Sequence, residues 1–273
     1  MSLPVGGGYV RVLSVWWRGN QPVSHHRGLE GYVNMDAQRR TARIAGWWFV
    51  VTFATSIPAL LLYGPVLDHA DYILGSGADA RISLGAFLEI LLAIANIATA
   101  VTLYPILKRQ SEAISLGYVT LRVIESGIIL AGVVSLLSVV TLRDDLSGTG
   151  ADSGTLTVVG QTLVAFHDWT FLLGPQFCAG FGNGLLLGYL LYGSNLVPRR
   201  MALLGLIGGP MAVFAGTLVL FGAIEQQTAA QFIITVPELV WEASLGIWLI
   251  VKGFKPSPIS DVRAEAVPAP IPA

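Results

Sequence analysis

Long apolar runs separated by short polar breaks set the pattern of this chain. Six runs are long enough for a helix to cross the hydrocarbon core of a bilayer, which takes about 20 residues. They cover 44–63, 82–107, 116–142, roughly 169–196, 202–224 and roughly 232–251. Inside lipid every backbone N–H and C=O must be paired within its own segment or in a closed barrel. A barrel needs strands of about ten residues with alternating polarity, and these runs are too long and too uniformly apolar for that. The expected fold class is all-α: a polytopic bundle of six transmembrane helices.

The stretch 156–166 is ambiguous. It is apolar but shorter than a span, and His167 and Asp168 interrupt it. It reads either as the outer extension of the fourth helix or as a short helix at the membrane surface; a seventh span fits less well. The division expected is a disordered or mis-started extension over 1–38, the six-helix domain over 39–254, and a disordered tail over 255–273. The first 34 residues are rich in Gly, Trp and Arg without a clean period, and Met35 would make a natural start just before the first span. The tail carries Pro256, Pro258, Pro268, Pro270 and Pro272.

Composition agrees with a membrane chain. Hydrophobic residues make up 53% and charged residues 12%, against about 25% charged in a soluble domain. Mean hydropathy is +0.66. Net charge is -1, so no basic field for nucleic acid exists. Cys178 stands alone, which rules out an intrachain disulfide.

The charges near the span ends give an orientation. Arg27, Arg39, Arg40, Arg43, Lys108, Arg109, Arg199, Arg200, Lys252 and Lys255 fall on one side. Only Arg81 and Arg143 fall on the other, among Asp68, Asp71, Asp79, Asp144, Asp145 and Asp152. This asymmetry predicts both ends in the cytoplasm and a location in the inner (plasma) membrane.

Packing signals are sparse. Gly180, Gly184 and Gly188 are spaced by four, which lets another backbone approach closely. They could form a homodimer interface or pack within the chain. Pro58, Pro105, Pro175, Pro210 and Pro237 lie in or at the ends of spans, and Gly208–Gly209–Pro210 is the expected helix break.

Candidate chemistry sits in the few polar residues within the spans, where a charge normally faces the bundle interior and has a partner. Arg122 and Glu125 share a face of the third helix. Glu242 lies ten residues before Lys252, about 15 Å from that end of the sixth helix. The expectation is that Arg122 bridges Glu125 and Glu242. A second group, Glu89, His167, Asp168 and Glu238, lies toward the outer half. These are ligand-type residues, but no HExxH, clustered His or Cys ligand accompanies them, so no metal and no cofactor is expected. Asn96, Gln176 and Asn183 are expected to hydrogen-bond between helices.

Several pieces together resemble a group of bacterial multi-pass proteins called domain of unknown function 4386. They are Arg40–Thr41–Ala42–Arg43–Ile44–Ala45–Gly46, Arg122-x-x-Glu125, and His167 ahead of Leu173–Gly174. Tyr189 and Tyr192 followed by Ser194–Asn195–Leu196–Val197–Pro198–Arg199 also fit, as do Pro237–Glu238, Glu242 and the ending Gly246 to Phe254. The resemblance covers about 37–254. It implies no activity or ligand, but it singles out Arg122, Glu125, His167, Glu238 and Glu242.

Three functions remain open. The first is a structural or regulatory membrane protein whose buried Arg/Glu network holds the bundle together. The second is a transporter for protons or a small solute using the intramembrane acids. The third is an intramembrane enzyme acting on a lipid through Glu89, His167, Asp168 and Glu238, which requires those four to converge. The first and fifth spans carry no Asp, Glu, Lys, Arg or His inside them, and they are expected to be scaffold.

Overall fold

The computed structural model describes residues 26–69, 71–75, 79–146, 149–150 and 152–256, with side chains from Asp36 onward. The expectations for 1–25 and 257–273 lie outside the described residues. The chain divides into two compact units, Met1–Ala37 and Gln38–Ala273. The described backbone of the first is helical; the packing and the sites below concern the second.

Six long helices follow one another: α1 (His26–Asp68), α2 (Asp79–Leu107), α3 (Glu112–Leu146), α4 (Ser153–Ser194), α5 (Arg199–Leu220) and α6 (Ala229–Val251). A 3-10 turn at Tyr72–Leu74 lies between α1 and α2. No strand occurs among the described residues. All six helices, α1 from Asp36, are long and apolar enough to cross a membrane. They match the six apolar runs in order, so the chain is an all-α, multi-pass membrane protein.

Helix α4 resolves the ambiguous stretch. Residues 156–166 are its extension, continuous with the span. At 42 residues it is about 60 Å long, twice the roughly 30 Å hydrocarbon thickness, so it is longer than a span needs. Asp152 caps its first turn. The carboxylate accepts the Thr155 N–H at 2.8 Å and the Thr155 hydroxyl at 2.8 Å. Those bonds, the backbone one foremost, hold the Asp152 carboxyl below the usual carboxylate range. Asn195 ends α4 in the left-handed conformation (φ 57°), a common helix stop.

The middle of α4 widens into π-helix at Leu172–Cys178 and again at Gly180–Leu187. Pro175, which has no N–H to give to the preceding turn, lies in the first of these. The break expected at Gly208–Gly209–Pro210 is absent: α5 runs unbroken through it. Those glycines serve close packing instead. A Cβ on Gly208 would stand 2.6 Å from the Glu238 nitrogen on α6, and one on Gly209 would stand 2.8 Å from Gly184 Cα on α4. Gly180, Gly184 and Gly188 are buried and face α5 of their own chain, against Gly209, Val213 and Leu206. The stripe of small residues therefore brings α4 and α5 together.

Two apolar clusters flank the middle of the bundle. One gathers Phe49, Leu103, Tyr118, Leu190, Trp241 and Leu249. The other gathers Tyr63, Tyr72, Ile73, Ile82, Leu136 and Val139. Beside the second, Arg143 pairs with Asp79 and lies over the Tyr72 ring at 4.9 Å. Large apolar side chains such as Trp47, Leu61, Val134 and Ile247 stay exposed on the outside, where lipid covers them. The polar residues lie between these clusters.

Candidate functional site

The polar middle starts with a knot between α2 and α3. Arg122 and Glu125 sit three residues apart on α3, and Arg122 Nη1 donates to Glu125 at 2.8 Å. Asn96 on α2 closes the knot. Its Nδ2 donates to Glu125 at 3.1 Å, and its Oδ1 accepts from Arg122 Nη2. One turn on, Ser126 donates to the Ala93 carbonyl at 3.0 Å. Arg122, Glu125 and Asn96 are each 2–3% exposed. Such a charge can remain buried only with this kind of partnership.

The expected bridge from Arg122 to Glu242 is not what the structure shows. Both Nη atoms of Arg122 are taken by Glu125 and Asn96. Glu242 instead accepts from Asn183 Nδ2 on α4. Asn183 is fixed in turn by the Trp241 indole donating to its carbonyl at 3.0 Å and by the Tyr118 hydroxyl donating to its side chain at 3.3 Å. Asn96 and Asn183 thus bond between helices as expected. Gln176 does so too, donating to the Ala212 carbonyl at 2.7 Å and to Thr235 at 2.9 Å.

The second group divides. The Tyr63 hydroxyl of α1 donates to Glu89 at 3.0 Å. The Tyr63 ring meets the buried His167 ring edge-on, with centroids 5.5 Å apart. Asp168 stands apart. Its Oδ1 is 3.8 Å from His167 Nδ1, too far for a hydrogen bond, and it lines a separate open pocket of ≈ 250 Å³ with Asp68 and His69.

Glu89, His167 and Glu238 share one internal cavity of ≈ 180 Å³ with Asn96, Arg122, Glu125 and Glu242. The two groups that the sequence placed at different depths are walls of the same space. Four carboxylates face one guanidinium and one imidazole there. Thr52 and Ser56 of α1, Pro175 of α4 and Thr235 of α6 complete the polar and kinked parts of the wall.

Glu238 is the exceptional member. It is 3% exposed, and neither carboxylate oxygen has a hydrogen-bond partner among the described residues. Arg122 Nε and His167 Nδ1 are likewise unpartnered there. Buried polar groups are nearly always satisfied, so each such atom calls for an explanation. No group of three or more His, Cys, Asp or Glu among the described residues is arranged to hold a metal ion.

Helix α1 was expected to be scaffold, yet it supplies Tyr63, Thr52 and Ser56 to the site. The spacing 52, 56, 63 puts all three on one helical face, and that polar stripe was the available signal. Helix α5 contributes only backbone and Ala212, in keeping with a scaffold.

Comparison with known proteins adds a family assignment. The model of the family described as Domain of unknown function (DUF4386) matches residues 44–253, most of the chain. No curated protein and no solved structure matches.

Proposed function

The chain belongs to the DUF4386 family, and from that premise we propose that it is a transporter for a small cationic solute, with the acid-lined cavity as its substrate site. The single observation that carries this reading is Glu238, buried in the cavity wall with both oxygens unpartnered among the described residues. A network that only held helices together would close its hydrogen bonds, as Arg122, Asn96 and Glu125 largely do. When ionised, four acids around one guanidinium carry an excess of negative charge, and uncompensated charge in the hydrocarbon region is costly. A bound cation, whether a proton or an ammonium group, relieves that excess. The π-helical middle of α4 and Pro237 in α6 lie beside the cavity, where a helix can bend.

The Arg122–Glu125–Asn96 knot ties α2 to α3, in place of the expected tie from α3 to α6 through Glu242, and fits a structural role. The enzyme reading needs Asp168 at the same site, and Asp168 lines the other pocket. The Lys/Arg asymmetry supports a plasma-membrane topology with the 39–254 domain entered and left from the cytoplasm.

Proteoliposomes test the proposal with radiolabelled methylammonium and, separately, an imposed pH gradient read by an internal dye. The expected result is protein-dependent flux of amine or protons, lost at least tenfold in Glu238→Gln. Wild-type protein that is folded yet moves neither, or a Glu238→Gln variant as active as wild type, overturns it.

A further inference from the structure

The acid cavity does not end at its own walls. A groove of ≈ 360 Å³ between α1 and α6, floored by α4, shares Ser56, Leu60, Phe171, Thr235 and Leu239 with it. The two spaces are therefore contiguous but differ in character. The cavity is ringed by carboxylates. The groove offers mainly apolar surface, because its two buried glutamines are hydrogen-bonded within the protein. Gln176 is spent on Ala212 and Thr235, and Gln231 is spent on Gln176 at 3.4 Å and on the Gln227 N–H at 2.7 Å.

Ile57 and Phe232, on the two lips of the groove, are 56% and 60% exposed. Both lie on helices long and apolar enough to span a bilayer, where an exposed apolar side chain is stable against lipid. A path thus runs from lipid, along an apolar trough, to a cluster of acids.

The geometry points to a substrate that is an amphiphile: a single ammonium head seated among the cavity carboxylates, with a hydrocarbon tail lying in the α1/α6 groove. This rests on the cation-site reading above and adds the tail and the lateral route. Charge complementarity fixes the head. A carboxylate or phosphate head would meet four acids at the cavity and be repelled. Tail burial adds affinity with length, because each buried methylene contributes to binding. Bilayer partitioning of the tail must be subtracted, since the amine already resides in lipid.

The test uses the full chain in nanodiscs, with saturable binding measured above that of empty nanodiscs. The probes are methylammonium, hexylammonium and decylammonium, with decanol and decanoate as controls. The expected result is at least tenfold tighter binding of decylammonium than of methylammonium, with decanoate not bound. Glu238→Gln should abolish the preference of decylammonium over decanol. Ile57→Trp, at a groove position the cavity does not share, should obstruct the groove and remove the chain-length effect while leaving methylammonium binding unchanged; Thr228→Trp, also confined to the groove, gives the same readout where Ile57→Trp does not fold. Equal affinity for all three amines overturns the amphiphile and leaves the cation site standing. Tighter binding of decanoate than decylammonium overturns it in favour of an anionic lipid. Failure of every amine to bind overturns the amphiphile, and proton flux in the proteoliposomes then decides the cation site separately.

Discussion

Glu238 of α6 lies directly against Gly184 of α4, so that a Cβ on the glycine would stand 2.6 Å from a carboxylate oxygen. The same Cβ would meet the Gly209 backbone of α5. Three helices converge at this point because one residue has no side chain. Gly184→Ala should therefore destabilise the bundle by about 1–3 kcal/mol, the usual cost of overpacking. The measurement is thermal unfolding of the purified protein in detergent. An unchanged midpoint would mean that α4 and α5 do not pack at Gly184.

Arg122 holds Glu125 and Asn96 at once. Arg122→Gln should cost about 3–5 kcal/mol, since it leaves a buried carboxylate without its counter-charge. Adding Glu125→Gln should recover part of that loss, because the second change removes the orphaned acid. A double-mutant cycle on thermal stability reads the coupling directly. Additive losses would show that the two side chains act independently.

Tyr63→Phe removes the hydroxyl bound to Glu89 but keeps the ring against His167. Stability should fall by about 1 kcal/mol. Flux should change with it, because one cavity carboxylate loses its fixed donor. Tyr63→Leu, which removes the ring as well, should be more damaging. Equal stability of the Phe and Leu variants would sink the ring contact as a structural element.

Asp152 gives a pH dependence outside the membrane. Its carboxyl titrates below the ordinary carboxylate range because the Thr155 N–H and hydroxyl favour the ionised form. A depressed folded-state pKa contributes stability that is complete above the unfolded value, about 3.9, and lost as pH falls through the folded one. The first turn of α4 should thus fray only below about pH 4. At neutral pH, Asp152→Ala should raise hydrogen exchange of the amides just after Asp152, whereas Asp152→Asn, still a cap, should leave it near wild type. Equal exchange in all three proteins would show that the cap is not what holds the turn.

The fold and part of the site were legible in the sequence for energetic reasons. Spans show because hydrocarbon tolerates few polar groups. Arg122, Glu125 and Glu238 show because burying each is expensive enough to stand out. Depth along a helix can be counted from its ends, but rotation and neighbours cannot. That is why Glu125 with Glu242 and Glu89 with Glu238 read as two groups when they line one cavity.

Thr52 and Ser56 escaped notice for a different reason. A hydroxyl in a membrane helix can satisfy itself on its own backbone, as Thr52 does on the Phe49 carbonyl at 2.7 Å, so it leaves little polar signature. The misplaced helix break has a similar origin. Composition marks Gly208, Gly209 and Pro210 as weak helix formers, but neighbouring helices that press against them keep α5 continuous. At Pro175 the wall is a cavity, and the backbone is free to widen.

That widening bears on which changes in chain length α4 can accept. A π turn closes on the fifth residue along rather than the fourth, so it stores one residue beyond what an α turn needs. Deleting a residue from an ordinary span turns everything after it by about 100° and points a different set of side chains at each neighbour. A deletion within Leu172–Cys178 can be absorbed by tightening the turn to α-helix, leaving Asn183 still facing Glu242. Length variants confined to the two π-helical stretches of α4, and harmful elsewhere in the bundle, are the heritable trace such a backbone would leave.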